Sequence, residues 1–238
     1  MMIPGFTLPS QQGVTITLRE ATVSDLLDFA DSEPAFEEKV TTLFLNRLQD
    51  KATFVDSKEW TVEDRRFALY WYWLHTTDDA EVAIKYACGH CGKTHTFLQD
   101  YRKIGDTYQS IKGLPERDIE IDGKRITVKP LNGGDAEILE SMALSGDGRK
   151  EQAKRRIEHL SRVANIPVAE IIALTVKEFR ALEASIKEAL SDLQHGFEID
   201  IDGTQTSFVL PPHTCPNNKE VQTRVRVLFR TYDFVPAL

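Results

Sequence analysis

Residue types with metal-ligand chemistry crowd into one stretch of the chain, Cys88-Gly89-His90-Cys91-Gly92-Lys93-Thr94-His95. A Cys-x-x-Cys turn supplies two thiolates at the separation zinc accepts in a tetrahedral site, and glycine after the second cysteine eases the tight turn. Two further ligands must come from elsewhere. The remaining cysteine, Cys215, sits in a second polar turn, Pro211-Pro212-His213-Thr214-Cys215-Pro216-Asn217-Asn218. The preferred set is therefore Cys88, Cys91, Cys215 and His213, a structural Zn²⁺ site pairing two knuckles in zinc-ribbon style. His95 or His90 is the local alternative for the fourth ligand. A metal-free turn and a redox dithiol are the competing readings of the Cys-x-x-Cys. A thioredoxin-like dithiol belongs at a helix N-terminus after a strand, where the helix dipole lowers the thiol pKa. Here residues 81–86 and 94–98 alternate in strand fashion on either side, so the turn is expected at the tip of a hairpin.

Other candidates for chemistry are weaker. His75, His159 and His195 fall near predicted helix ends or surfaces with no serine or cysteine nucleophile pattern beside them, and are read as solvent-facing or capping residues. Gly133-Gly134 and Gly146-Asp147-Gly148 lack the Lys-Ser/Thr or the strand-loop-helix frame of a phosphate loop. Lys150, Lys154, Arg155 and Arg156 are interleaved with Glu151 and Glu158, the pattern of a solvated helix face. No catalytic constellation emerges, and a non-enzymatic protein is expected.

The elements that must position the cysteines read as an α+β chain of helical segments and antiparallel β-hairpins around a zinc-knuckle turn, half of a zinc ribbon. Residues 1–13, with Pro4, Gly5, Pro9 and Gly13, read as an extended N-terminal arm; 14–112 form one α+β half with the Cys-x-x-Cys knuckle. Residues 113–238 form a second α+β half with a two-helix insert and C-terminal strands. Thr22-Val23-Ser24-Asp25, Thr61-Val62-Glu63-Asp64 and Thr175-Val176-Lys177-Glu178 are capping signals, each followed by a helical apolar run. A further helix is predicted to restart at Asp31-Ser32-Glu33-Pro34 and end near Asp50. Residues 65–74, Arg65-Arg66-Phe67-Ala68-Leu69-Tyr70-Trp71-Tyr72-Trp73-Leu74, are apolar in nearly every direction around the helix. They form either a core helix or an aromatic face on which Trp71, Tyr72 and Trp73 meet a partner subunit. Asp122-Gly123 and Asp202-Gly203 mark two further hairpins, and a last strand is predicted over 221–229.

The 238 residues, 41% hydrophobic and 28% charged, suffice for a real core without metal or disulfides. The N-terminus shows no basic segment leading into an apolar run, and no stretch approaches the ~20 apolar residues of a membrane span. A cytoplasmic chain with no membrane span is expected, and an odd three cysteines argue against a disulfide framework. A net charge of −8 gives no general attraction for phosphate backbones, which counts against a nucleic-acid-binding finger.

Residues 16–25 and 126–135 match in type: strand, basic residue, small polar cap, acid three later. Downstream, each half runs through helices into strands and a cysteine-bearing turn, with Asn218 where a second cysteine would complete the later knuckle. This is the pattern of a degenerate internal duplication, or of capping grammar shared by unrelated strand-helix units.

Several stretches together resemble the baseplate hub and hub-assembly proteins of T-even-like contractile-tailed phages. They are Ile16-Thr17-Leu18-Arg19 with Thr22-Val23-Ser24-Asp25, Glu63-Asp64-Arg65-Arg66-Phe67 through Leu74, and Tyr86-Ala87-Cys88-Gly89-His90-Cys91-Gly92. Leu174-Thr175-Val176-Lys177-Glu178-Phe179-Arg180-Ala181-Leu182 and Phe229-Arg230-Thr231-Tyr232-Asp233-Phe234 complete the resemblance. It implies a structural or assembly role in a tail baseplate, at the hub or its connection to the wedge. The partners would be other baseplate subunits, with no small-molecule substrate, and the location would be host cytoplasm during assembly or the virion tail. The alternative is an intracellular zinc-ribbon regulator binding nucleic acid through Lys85, Lys93, Arg102 and Lys103.

Overall fold

The computed structural model describes residues 2–30, 35–146, 148–197, 199–202, 205–210, 212–228 and 231–234. The chain is a mixed α+β structure whose strands pair antiparallel in small sheets. A hairpin of β1 (Phe6–Leu8) and β2 (Gln11–Ile16) leads into α1 (Val23–Ala30), α2 (Glu37–Leu48) and α3 (Val62–Thr76). The residues expected to restart the second helix, 31–34, lie outside the described set. The knuckle hairpin follows as β3 (Glu81–Ala87) and β4 (Thr94–Asp100), then a 3-10 segment over Tyr101–Thr107. Next come β5 (Arg117–Ile121), β6 (Lys124–Val128), α4 (Gly133–Leu144), α5 (Arg149–Ala164), α6 (Val168–Ala173) and α7 (Val176–Asp192). The chain closes through β7 (Ile199–Asp202), β8 (Gln205–Val209), β9 (His213–Cys215), β10 (Asn218–Thr223) and β11 (Arg226–Leu228).

Two expectations change in detail. The N-terminal arm is extended but docked: β1 pairs with β2, Ile3, Phe6 and Leu8 are buried, and the Ser10 backbone N–H donates to Asp64 at 2.9 Å. The apolar residues among Pro4, Gly5 and Pro9 are what tie it down. The last predicted strand is two, β10 and β11. The short helix α6 starts after Pro167, a residue that cannot continue α5 yet suits the entry to a new helix.

Two apolar cores form. One gathers around α3 and includes Leu18, Phe44, Leu48, Trp60, Phe67, Tyr70 and Tyr72. The other holds Val128, Leu160, Val163, Ile171, Leu182 and Ile186. The C-terminal residues Phe197, Leu210, Cys215, Val225 and Phe234 join the first core, so the sequence boundary after residue 112 does not separate the packing units.

The aromatic helix α3 lies mostly in that core. Tyr72 is fully buried, with its ring edge on Phe44 at 4.9 Å and its hydroxyl accepting from the Ala21 N–H at 3.1 Å. Trp71 donates from Nε1 to the Pro4 carbonyl at 2.8 Å, and Trp73 packs on Tyr101 and Phe234. These intramolecular contacts occupy the side chains expected to meet a partner.

The two halves repeat the same clasp. Arg19 N–H donates to Leu48 O at 2.9 Å, and Lys129 N–H to Val163 O at 2.8 Å, each tying the end of a strand to the end of an amphipathic helix. Thr22 caps Asp25 at 3.3 Å, and Asn132 caps Asp135 at 2.8 Å. Arg47 then pairs with Asp25 at 2.9 Å, and Arg162 with Asp135 at 2.7 Å. Thr61 caps α3 and Thr175 caps α7. Shared capping grammar explains the caps, whereas the matching long-range contacts support an internal duplication.

The cap loops meet where the halves join. Val62 N–H donates to Leu131 O at 3.0 Å, and Gly133 N–H to Trp60 O at 2.9 Å. A Cβ on Gly133 would meet the Ser57 carbonyl at 2.8 Å and collide with the Arg65 guanidinium, so only glycine fits. Beside it lies a buried charged network: Arg65 and Arg66 both reach Glu38, Arg65 donates to Thr42 at 3.0 Å, and the Glu38 N–H donates to Glu140 at 2.9 Å.

Burial pushes the Glu140 carboxyl up from 4.5 to about 7. Because the folded form holds this proton more tightly than the unfolded chain, its contribution is full at low pH and is lost as pH rises through that interval. Glu140→Gln is therefore expected to raise the urea midpoint at about pH 8 and leave it little changed at about pH 5, since glutamine keeps the acceptor for Glu38 without the buried charge. An equal gain at both pH values would show that Glu140 is not the titrating group.

Candidate metal centre

The knuckle forms because the β3–β4 hairpin turns between Ala87 and Thr94. Cys88 N–H donates to Lys93 O and Gly92 N–H to Cys88 O, each at 3.0 Å. Gly92 takes φ +66°, the left-handed conformation that glycine adopts without a Cβ penalty. Backbone N–H groups of His90 and Cys91 point at the Cys88 sulfur and lower its pKa; the Lys93 N–H and the Asn217 side chain do so at Cys91. Burial, acting first, raises the Cys215 thiol, against the N–H groups of Asn217 and Asn218.

The β9–β10 turn brings Cys215 onto this hairpin. The ligand atoms of Cys88, Cys91, His95 and Cys215 all lie within 4.8 Å of one another. Cys91 and Cys215 sulfurs are 3.9 Å apart, and His95 Nε2 is 3.1 Å from Cys91 Sγ. A tetrahedral zinc with its usual Zn–S bonds needs sulfurs about 3.8 Å apart, so the observed spacing fits such an ion. Cys88 and Cys215 are buried, which leaves the cluster open only on the Cys91 and His95 side.

The fourth member is His95, the local alternative, and the preferred His213 stands outside the cluster. The strand register explains this. His95 pairs with Tyr86, so it points to the same face as Cys88, two residues on along the strand. His213 is one pleat repeat, about 6.8 Å, behind Cys215. It stacks on Phe97 at 4.2 Å and meets Tyr86 at 5.2 Å, forming the aromatic wall behind the site. His90 is exposed, with its backbone turned to Cys88.

Two contributors had no signal in the sequence. Thr223 on β10 places its hydroxyl 3.8 Å from Cys88 Sγ and accepts from the Gly89 N–H at 3.4 Å. Asn217 reaches Cys91. Both touch the knuckle only through folding across more than a hundred residues, although Asn217 sits in the turn already singled out for Cys215.

His195 is also not where the sequence placed it. It is buried, with Nδ1 2.7 Å from Leu193 O and Nε2 2.7 Å from the Thr61 hydroxyl, which itself accepts from the Asp64 N–H. These two contacts pin the end of α7 to the cap of α3.

The architecture and cluster define a mixed α+β protein with a Cys3His constellation able to hold a metal ion. Among known proteins, no family model, no curated protein and no solved structure matches the chain. Among the described residues no helix is long and apolar enough to cross a membrane.

Proposed function

We propose that the chain is a non-enzymatic structural or assembly component of a contractile phage tail baseplate, at the hub or its connection to the wedge. It acts by binding other baseplate subunits, in the assembling cell and, if retained, in the virion tail. Zn²⁺ serves as a structural clip. The observation that carries the clip is the sequence separation of the ligands: three come from one hairpin and the fourth, Cys215, from strands more than a hundred residues away. Three thiolates and an imidazole form a donor set that zinc favours over harder cations. Bound there, zinc would supply cross-linking of the β3–β4 hairpin to β9 and β10, while Thr223 and the knuckle N–H groups orient the sulfurs. Support for the baseplate reading is the sequence resemblance.

Co-expression of the tagged chain with the products of the genes flanking its own tests this reading. Recovery of baseplate proteins in a complex stable to about 0.5 M salt is the expected result, since apolar and buried contacts resist screening. Recovery of nucleic acid alone, lost as salt rises, would replace it with the regulator reading.

A further inference from the structure

The joint between the two halves uses one cap loop from each. Thr61, ahead of α3, lies against Asn132, ahead of α4, and the flanking backbone groups hydrogen-bond across. Their counterparts in the internal repeat are the other two cap loops, Thr175 ahead of α7 and Thr22 ahead of α1. Both of these are exposed, and both carry apolar side chains. Val23 and Leu27 on α1 are 64% and 56% exposed, and Ile172 and Val176 around the start of α7 are 65% and 69% exposed. Val62, which stands at the filled joint where Val176 stands at the open one, is 7% exposed.

Side chains that are charged or polar at the filled joint are apolar at the open one. Lys58 and Glu137 form an ion pair across the filled joint at 3.0 Å. Aligning Thr61 with Thr175 puts Ile172 in the place of Lys58, and aligning Asn132 with Thr22 puts Leu27 in the place of Glu137. Arg65 donates to Thr42 at 3.0 Å beside them. Phe179 takes the place of Arg65, and Ile157 that of Thr42 in the register where Arg162 answers Arg47. Single exposed apolar residues need no explanation, but these fall on both of the faces that the repeat would bring together.

We infer that a second copy of this chain covers these faces: Val23 and Leu27 of one copy pack on Ile172 and Val176 of the next, repeating between chains the joint made within the chain. The contact is not an exact backbone copy, because Val23 stands where Gly133 does. The Arg65 guanidinium that crowds a Cβ at Gly133 has Phe179 as its counterpart, but the Ser57 carbonyl, 2.8 Å from that Cβ, has its counterpart in the Ile171 carbonyl. The loops therefore stand slightly further apart, and burial of apolar side chains holds the copies in place of the close backbone hydrogen bonds. Because the two faces differ, each copy added leaves one of each kind free, and association closes as a ring or continues as an open chain. Neither the metal clip nor the baseplate role enters; the internal repeat alone carries the assembly.

Sedimentation velocity on the full chain tests this. The wild type is expected to associate as concentration rises, and added salt should not weaken the association, since screening relieves the repulsion between chains of net charge −8. Leu27→Glu and Ile172→Glu each put a charge on one face and should weaken association about tenfold or more. An equimolar mixture of the two variants keeps one intact face of each kind and should form a one-to-one dimer that goes no further. The substituted positions are exposed, and an unchanged circular dichroism spectrum and melting point would establish that each variant folds, with Val23→Asp and Val176→Asp as the second pair. A wild type monomeric up to about 1 mM would overturn the proposal. So would association untouched by either variant, association lost in one variant but not the other, or a mixture that stays monomeric while the wild type assembles.

Discussion

Cys215→Ser is expected to lower the thermal midpoint by about 10 °C and abolish stoichiometric zinc in the purified protein. In a structural site, metal binding free energy is folding free energy, and removing one of four ligands sacrifices part of it. A loss of about 3 kcal/mol corresponds to a shift of about that size in a chain of this length. A chelator should destabilise the wild type by a similar amount and the variant by much less, because only the wild type has a tight site to lose. The histidines separate the two ligand sets. His95→Ala should lose the metal with the stability, whereas His213→Ala should keep about one zinc per chain and lose only its ring contacts with Phe97 and Tyr86, about 1 kcal/mol. Retention of zinc by His95→Ala and its loss from His213→Ala would reverse the assignment. Less than about half an equivalent in the wild type would remove the clip altogether.

Glu38→Gln is expected to cost about 3 kcal/mol in urea unfolding, more than Arg65→Met at the same junction. Burial pushes the Glu38 carboxyl up, but Arg66 and Arg65 outweigh it and leave the group below its ordinary value. Burial lowers the Arg65 guanidinium in turn, with Glu38 opposing. Breaking a buried pair leaves an uncompensated charge, typically at about 3–5 kcal/mol. The low end applies because Glu140 and Glu137 lie near Arg65 and can take up part of the field. Arg65→Met leaves Glu38 still paired with Arg66, and methionine keeps the volume over Gly133, so its effect should be smaller. If both variants unfold at the same urea concentration, the carboxylate is not the centre of the network.

Local signals in the sequence were sufficient for most elements. The threonine caps at Thr61 and Thr175, the Asp122-Gly123 hairpin and the alternation around the knuckle each involve residues a few positions apart, whose geometry is set by backbone sterics and short-range hydrogen bonds. The resemblance of residues 16–25 to 126–135 was equally local, and the paired clasps Arg19–Leu48 and Lys129–Val163 add the long-range contacts that lend it weight. The docking of the N-terminal arm was not legible, because Pro and Gly spacing says nothing about where Ile3, Phe6 and Leu8 find apolar neighbours.

By itself, the sequence determined the α+β alternation, the knuckle turn with Cys88 and Cys91, and the singling out of Cys215 as the distant ligand. The tertiary structure decided between His95 and His213. That choice rests on the pleat: side chains alternate along a strand, and only the register of β3 with β4 and the seating of β9 on them settle which imidazole faces the sulfurs. It also decided that Tyr72 is buried and that the half-buried Trp71 and Trp73 pack on Pro4, Tyr101 and Phe234 of their own chain, because an apolar helix is equally able to meet its own chain or another's until the surrounding elements claim its surface.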